Sequence, residues 1–500
     1  MGSSNVARDQ TFDIVAIGGG TAGLVTAAGS AGLGASVALI ERDRLGGDCL
    51  WTGCVPSKAL IGSARVARHV RDAAAFGLGI PRQEIEATDV LSSVRDVRAQ
   101  IEPHDDPERF RAMGVDVVEG AARFVSPHEV EVDGRRLRAR RFVIATGSRA
   151  AVPPIPGLEE AGYFTHAEAF DRDTIPASLA VVGGGPIGVE LAQAYRRLGT
   201  EVTVVELLDR LMVREEPELA ELLTSRLRDE GIRIRTGRTV TRVDRTGNRR
   251  RVTIAPPSAA EGRSAEEGRS AEERAETLAV DEVLIAAGRA PNTEDLGLDA
   301  AGVETAGGWV TVDSRLRTSR KHIFAAGDVT GGFLFTHVAD HEARTVVQNA
   351  LFPVRANIDY RVIPWCTYTD PELAHVGLTE AEARERHGDS VSAHVYDIGN
   401  LDRAIAERAA MGRVKIVVGK GGRILGGHIL APDAGTMIAE ISLAMKAGVK
   451  LGTLASLVHP YPTMSEGVKR TADAYRRSTL TGWRKSAVDL ALRIGRALPP

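Results

Sequence analysis

Cysteine is scarce in this chain, with three in 500 residues at Cys49, Cys54 and Cys366. That is too few for a disulfide-stapled secreted scaffold. Nor does it supply the matched ligand pairs of a cysteine-based zinc site, because Cys366 stands far from the other two. Two cysteines five positions apart in a reducing compartment therefore point to redox chemistry. Basic excess is lacking too: the formal charge is −3, so nothing here neutralises a phosphate backbone, and nucleic-acid binding is excluded as a class. Long apolar runs are absent, and none reaches membrane-spanning length. Met1 to Asp13 is polar and passes straight into Ile14 to Ile17 without the basic lead and apolar core of a signal peptide. A cytoplasmic protein is expected.

Glycine, by contrast, is abundant. The 53 glycines follow no triplet period, so they are read as tight turns and places where the backbone approaches a ligand closely. A chain of this length with 43% hydrophobic residues divides into two to four domains. One unit recurs: FDIVAIGGGTAG (12 to 23) and LAVVGGGPIG (179 to 188) each read as apolar strand, glycine turn and helix. Each is followed by a second strand ending in an acid. Glu41 lies 23 positions after Gly18, and Glu206 lies 23 after Gly183. Gly18, Gly20 and Gly23, and again Gly183, Gly185 and Gly188, would provide the tight turn, the approach to a pyrophosphate and close helix packing, with the acid on the ribose hydroxyls. Two copies with equal spacing predict two dinucleotide sites. At the second, Glu206 repels a 2′-phosphate and favours NADH over NADPH, with Arg210 and Arg214 acting the other way.

Three further segments, FVIATGS near Gly147, VLIAAGR near Gly288 and IFAAGDV near Gly327, read as returning strands. The last implies that a late segment re-enters the first domain. Pro153, Pro154 and Pro156 with Gly157 form a linker, and 255 to 276 is a charged low-complexity insertion, expected as a floppy hairpin tip. The expected partition is 1–152 and 291–350 for the first dinucleotide domain, 153–290 for the second, 351–475 for a differently built third domain, and 476–500 for a tail. In that tail Trp483, Leu490, Ile494 and Leu498 recur at helical intervals among basic residues, read as a helix packed on its own dimer rather than on a membrane surface. Cys366 is read as a small buried hydrophobe.

The decisive element is GGDCLWTGCVPSK, residues 46 to 58. If the segment begins a helix, Cys54 sits at its start, where the positive dipole end stabilises a thiolate. This element, the two glycine motifs, IFAAGDV and YPTMSEG are together similar to the FAD-dependent pyridine nucleotide disulfide oxidoreductases, the group of dihydrolipoamide dehydrogenase, glutathione reductase and mercuric reductase. The likeness runs from roughly residue 10 to 475. It implies an α/β fold of two Rossmann-like dinucleotide-binding domains, for FAD and NAD(P), followed by an α+β dimerisation domain. It also implies a homodimer whose active site borrows from the partner's last domain. Electrons would pass from NAD(P)H through FAD to a Cys49–Cys54 disulfide and on to a small-molecule or metal-ion acceptor. Cys54 would face the flavin, Cys49 would attack substrate, and Lys58 would lie beside flavin N5 and pair with Glu190. FAD contacts would fall on Thr146, Gly147, Asp328, Thr336 and His337, and NAD contacts on Gly288 and the backbone of Val240.

One departure bears on the acceptor. Disulfide reductases of this group carry His-Pro-Thr-x-x-Glu, whose histidine protonates the leaving thiolate and is oriented by the glutamate. Here the segment is His459-Pro460-Tyr461-Pro462-Thr463-Met464-Ser465-Glu466. Ungapped matching puts Tyr461 at the base position, as in mercuric reductase, and a phenol is a poorer proton shuttle than an imidazole at neutral pH. His459 remains an alternative base. The C-terminal vicinal cysteines of mercuric reductase are missing, so the acceptor stays open between disulfide, metal ion and other oxidants. Dihydrolipoamide dehydrogenase and a flavin-bound redox sensor without turnover are the rival readings.

Overall fold

The computed structural model describes residues 11–81, 86–257 and 275–497. Most of the low-complexity insertion, at 258–274, and the tail residue Leu498 lie outside them. Two compact units emerge, one formed by 1–207 with 231–359 and the other by 208–230 with 360–500.

Among the described residues the first unit is built on two sheets, one that is parallel except for the antiparallel pairing of Glu129–Val132 and Arg123–Ser126 at one edge, and one that is parallel throughout. The run Phe12 to Ile17 is apolar almost without interruption because its strand, Thr11–Ile17, is buried on both faces, the usual state of a central parallel strand. It pairs in parallel with Val37–Glu41 on one side and Arg135–Ile144 on the other. Among the described residues this sheet has seven strands, and Ile323–Ala325 joins it in parallel beside Arg135–Ile144. The late IFAAGDV segment thus returns to the first sheet. In the second parallel sheet Ser178–Val182 lies between Glu201–Glu206 and Glu282–Ile285, with Arg233–Thr236 outermost. Gly147, Gly288 and Gly327, which follow the three returning strands, have φ of 69°, 137° and 77°, a backbone that side chains resist.

The second unit centres on an antiparallel sheet, ordered Pro364–Thr367, Glu372–Gly377, Ile424–Ala431, Arg413–Val418 and Ser392–Asp397. The helix Ala434–Lys446 packs Met437, Ile438 and Ile441 into its core. Strand alternation puts Ala374, Val376, Val414, Ile416 and Ile429 in that core. Between them, His375, Lys415 and His428 take the other face. The segment 208–230, which the sequence reading left inside 153–290, belongs to this unit. Its buried acids Glu215 and Glu216 bond to groups on and beside this sheet, and the helix Pro217–Asp229 follows directly.

Candidate active site

Both glycine turns have one geometry. A Cβ built on Gly18 would stand 2.3 Å from the Ala145 carbonyl, and one on Gly23 would stand 1.8 Å from the Gly18 carbonyl. Gly20 meets only Gly47 Cα at 3.9 Å. In the second copy Gly183 would strike the Ala286 carbonyl at 2.3 Å and Gly188 the Gly183 carbonyl at 2.1 Å, while Gly185 has nothing within 4 Å. The first and third glycines are therefore imposed by packing, and the middle one leaves open space at a helix start, as a pyrophosphate needs. Glu41 Oε2 accepts from Gly19 N at 2.5 Å and Glu206 Oε2 from Gly184 N at 2.6 Å. Both cradles fit a dinucleotide.

The cysteines lie where two short structural decisions put them. Cys49 is in the turn of helix Gly47–Trp51, and Cys54 is the first residue of the helix Cys54–Asp72. No disulfide joins them. Their electrostatics are opposed. A hydrogen bond from Cys49 lowers Cys54 to about 6 against the opposing effect of burial, helped by the Thr336 hydroxyl and the Lys58 charge. Donating that bond, together with burial, pushes Cys49 well above the usual thiol range. Thr336 Oγ1 lies 3.2 Å from Cys54 Sγ and opens the helix Thr336–Leu351, so the positive ends of two helices meet at this sulfur. Thr336, read from sequence as a flavin contact, is in the structure a partner of the thiolate.

Lys58, one turn into the cysteine helix, places Nζ 2.8 Å from Glu190 Oε2, on the helix that follows the second glycine turn. Glu190 is buried. Of the other expected cofactor residues, Thr146 donates its hydroxyl to Asn292 O at 2.6 Å, and Asp328 accepts from Ser148 Oγ at 2.7 Å. His337 stacks on Phe335, and Val240 is buried beside a bulge in its strand.

A network that motif reading missed surrounds Asp48, the residue before Cys49. Arg289 Nη2 donates to Asp48 Oδ2 at 2.6 Å, His166 Nε2 lies 3.1 Å from Oδ1, and Thr52 Oγ1 donates to Oδ1 as well. Burial pushes the Asp48 carboxyl up, but these partners bring it well below the usual carboxylate range, so it is ionised. Arg289 Nε also reaches Ser148 Oγ at 2.6 Å, joining Asp48 to the Asp328 side of the site. Only the charged residue inside GGDC hinted at it.

In the C-terminal unit, the expected pairing of the base with Glu466 is not what the protomer shows. His459 Nε2 lies 3.1 Å from Glu440 Oε2, a residue of the helix Ala434–Lys446. Glu466 turns instead to Thr463 N and Arg470 at 3.5 Å each. Tyr461 is exposed and donates its hydroxyl to Asp402 Oδ2 at 2.5 Å. That bond holds the phenol above its ordinary pKa. Cys366 is half-buried against the core of this unit. The tail forms the helix Gly482–Ala497, with Leu490 and Ile494 exposed. Among the described residues no helix is long and apolar enough to cross a membrane.

Two dinucleotide cradles, with a thiol–thiolate pair next to one of them, define a dithiol oxidoreductase served by two nucleotides. Residues 12–343 match the family model for pyridine nucleotide-disulphide oxidoreductases, and 363–472 match that family's dimerisation domain. The chain is 33% identical to a mercuric reductase of Bacillus cereus, across 93% of this chain and 72% of that protein. It is 35% identical to a dihydrolipoyl dehydrogenase of Thermus scotoductus, across 94% and 99%. Among solved structures, the Cu(II) complex of the HOCl-induced flavoprotein disulfide reductase RclA from Escherichia coli superposes with a TM-score of 0.80 at 28% identity, covering 93% of this chain and 99% of that one. This protein belongs to the pyridine nucleotide-disulphide oxidoreductase family. It is an enzyme of the flavin-dependent kind, using FAD and NAD(P)H, and its dimerisation domain supports a homodimer.

Proposed function

We propose that the Cys49–Cys54 dithiol passes electrons from NADH to a thiophilic or redox-active metal ion. When bound, FAD accepts hydride from the nicotinamide and supplies an electron pair to the cysteines. The chain's own part begins at Cys54, which is ionised at neutral pH, while Cys49 keeps its proton and donates it to Cys54. Lys58, paired with Glu190, holds positive charge beside that thiolate. The reaction balances without a leaving thiolate. The Cys49 thiol and the Cys54 thiolate lose two electrons and one proton and join as a disulfide, while two cupric ions become cuprous or one mercuric ion becomes metallic mercury.

The observation that carries this reading is the residue at the base position. Reduction of a disulfide substrate calls for a proton donor to the departing thiolate, and imidazole suits that task at neutral pH. Tyr461 stands there instead, its hydroxyl given to Asp402 and its pKa raised further by that bond. A metal ion asks for no such proton. The names of the mercuric reductase relative and of the Cu(II)-bound structure agree with this class of acceptor. One observation favours disulfide exchange of the dihydrolipoyl type as a second reading: the His459–Glu440 pair is a carboxylate-oriented imidazole.

Steady-state oxidation of NADH with cupric ion, mercuric ion, lipoamide and glutathione disulfide separates the two. Metal-dependent turnover should survive His459→Ala within a few-fold and vanish with Cys49→Ser. Efficient disulfide turnover that falls by about 100- to 10,000-fold in His459→Ala, the loss expected for a general acid–base, would overturn the metal reading.

A further inference from the structure

The face of the C-terminal sheet opposite its hydrophobic core carries a line of polar side chains. Strand register sets Trp365 opposite His375, His375 opposite His428, and His428 opposite Lys415. The consecutive acids Glu215 and Glu216, just before the helix Pro217–Asp229, bond into this row, and they are 2% and 3% exposed. His375 and His428 are each 1% exposed. Charge buried this deeply must be compensated.

Hydrogen-bond accounting along the row leaves a gap. Trp365 Nε1 donates to Glu215 Oε1 at 2.6 Å. His375 Nε2 lies 2.9 Å from Gly377 O, and His428 Nε2 lies 3.0 Å from Leu378 O. A carbonyl only accepts, so both rings carry hydrogen on Nε2. His428 Nδ1 then has no hydrogen-bond partner among the described residues. His375 Nδ1 faces Glu215 Oε2 at 3.0 Å. A neutral His375 would set a nitrogen lone pair against a carboxylate lone pair at that distance, so a positive centre must lie between them. A proton would satisfy His375 and Glu215 and leave His428 bare. A divalent cation satisfies all three.

We propose that Glu215, His375 and His428 form a binding site for one zinc-class divalent ion. One donor atom from each lies within 4.8 Å of the others. The His375–Glu215 separation of 3.0 Å suits ligands sharing one metal, since bonds of ~2.1 Å opening at about 90–110° put their ends ~3.0–3.4 Å apart. Each imidazole has its remaining N–H on a backbone carbonyl, the outer contact that fixes a metal-bound histidine's tautomer. The neighbouring charges are arranged to match. Lys415 Nζ is engaged by Glu216 at 2.9 Å, Glu218 at 3.2 Å and Glu380 at 2.8 Å, leaving the Glu215 charge to the ion. Such an ion would pin the stretch before Pro217 to the sheet. A zinc ion lacks redox chemistry and is not the acceptor metal that the dithiol would reduce.

The test uses FAD-loaded protein carrying Cys49→Ser and Cys54→Ser, which removes the redox pair as a competing thiol site and leaves Cys366, expressed with added Zn²⁺ or Co²⁺. After desalting, about one Zn²⁺ per chain should remain. The cobalt protein should show visible d–d bands without sulfur-to-cobalt charge transfer. His428→Gln or His375→Gln should cut bound metal about tenfold or more while FAD content is kept. X-ray absorption at the zinc edge of the parent, which needs no further variant, should show two imidazoles and no sulfur. Folded, FAD-loaded protein without stoichiometric zinc, or an oxygen-only shell, would overturn the site in favour of a proton shared by His375 and Glu215.

Discussion

Replacing Cys49 with alanine should raise the pH at which Cys54 ionises, and replacing it with serine should not. The hydrogen bond from Cys49 is the largest influence bringing Cys54 to about 6, ahead of burial, which opposes it, and of Thr336 and Lys58. A hydrogen bond to a charged group contributes about 1.5–3 kcal/mol, and one pH unit corresponds to about 1.4 kcal/mol. Losing the bond should therefore move the midpoint up by about one to two pH units, to between ~7 and ~8. The sign follows from the direction of the shift. Thiolate is present above the midpoint and is lost as pH falls through it, so at pH 7 the fraction drops from ~90% to between ~50% and ~10% in the alanine variant. A serine hydroxyl still donates and should keep the midpoint near 6. The assay is a pH titration of the long-wavelength absorbance between the Cys54 thiolate and the flavin in two-electron-reduced enzyme. Thr336→Val should shift the midpoint the same way by less, and Asp48→Asn the opposite way, because Asp48 is a raising influence. Equal midpoints for the alanine variant and the parent would refute the hydrogen-bond account.

An acid facing a 2′-phosphate costs ~1–3 kcal/mol, so kcat/KM should favour NADH over NADPH by about tenfold to a hundredfold, and Glu206→Ala should shrink that ratio. Arg210 is no rival, since its guanidinium donates to the carbonyls of Met212, Val213 and Glu215; a measured preference for NADPH would point to the exposed Arg214. The glycines should separate packing from binding. Gly20→Ala should fold normally and lose FAD affinity, because its φ of −80° suits alanine and its Cβ would enter open space. Gly23→Ala should lose the folded cradle itself, and a stable, FAD-binding Gly23→Ala protein would contradict the 1.8 Å approach.

What could be read in advance were features held within one short stretch. Strand, glycine turn and terminal acid are local, and they recur at fixed spacing, so both cradles were visible before any coordinates. That Cys54 begins a helix was legible for the same reason. Partners that meet through the fold were not. Asp48 finds His166 and Arg289 118 and 241 positions away. His459 takes Glu440 from a neighbouring helix, in place of the motif's Glu466. Nor could register be known: ELAHVG, ILGGHILA and RVKIVV each place one polar residue between apolar or small ones in the strand interior. That anomaly was readable, but that the three residues stand side by side depends on which strands pair. The displacement of 208–230 into the second unit has the same origin, because Glu215 and Glu216 gain their partners only on that sheet.

The two sulfurs, five residues apart, thus sit in opposite fields built by separate parts of the first unit. Cys54 has the starts of two helices, the Thr336 hydroxyl and the Lys58 ammonium, all favouring negative charge. Cys49 is held protonated by the hydrogen bond it gives Cys54 and by burial, while the ionised Asp48 opposes negative charge on either sulfur. This asymmetry is what makes a dithiol directional. Were the two thiols equivalent, either could ionise and the proton would have no settled place. Because Cys49 gives the hydrogen bond and Cys54 receives it, the proton stays on Cys49 and the negative charge on Cys54. Cys49 therefore gives up its proton more readily to an acceptor that supplies compensating positive charge, as the proposed cationic metal ion would.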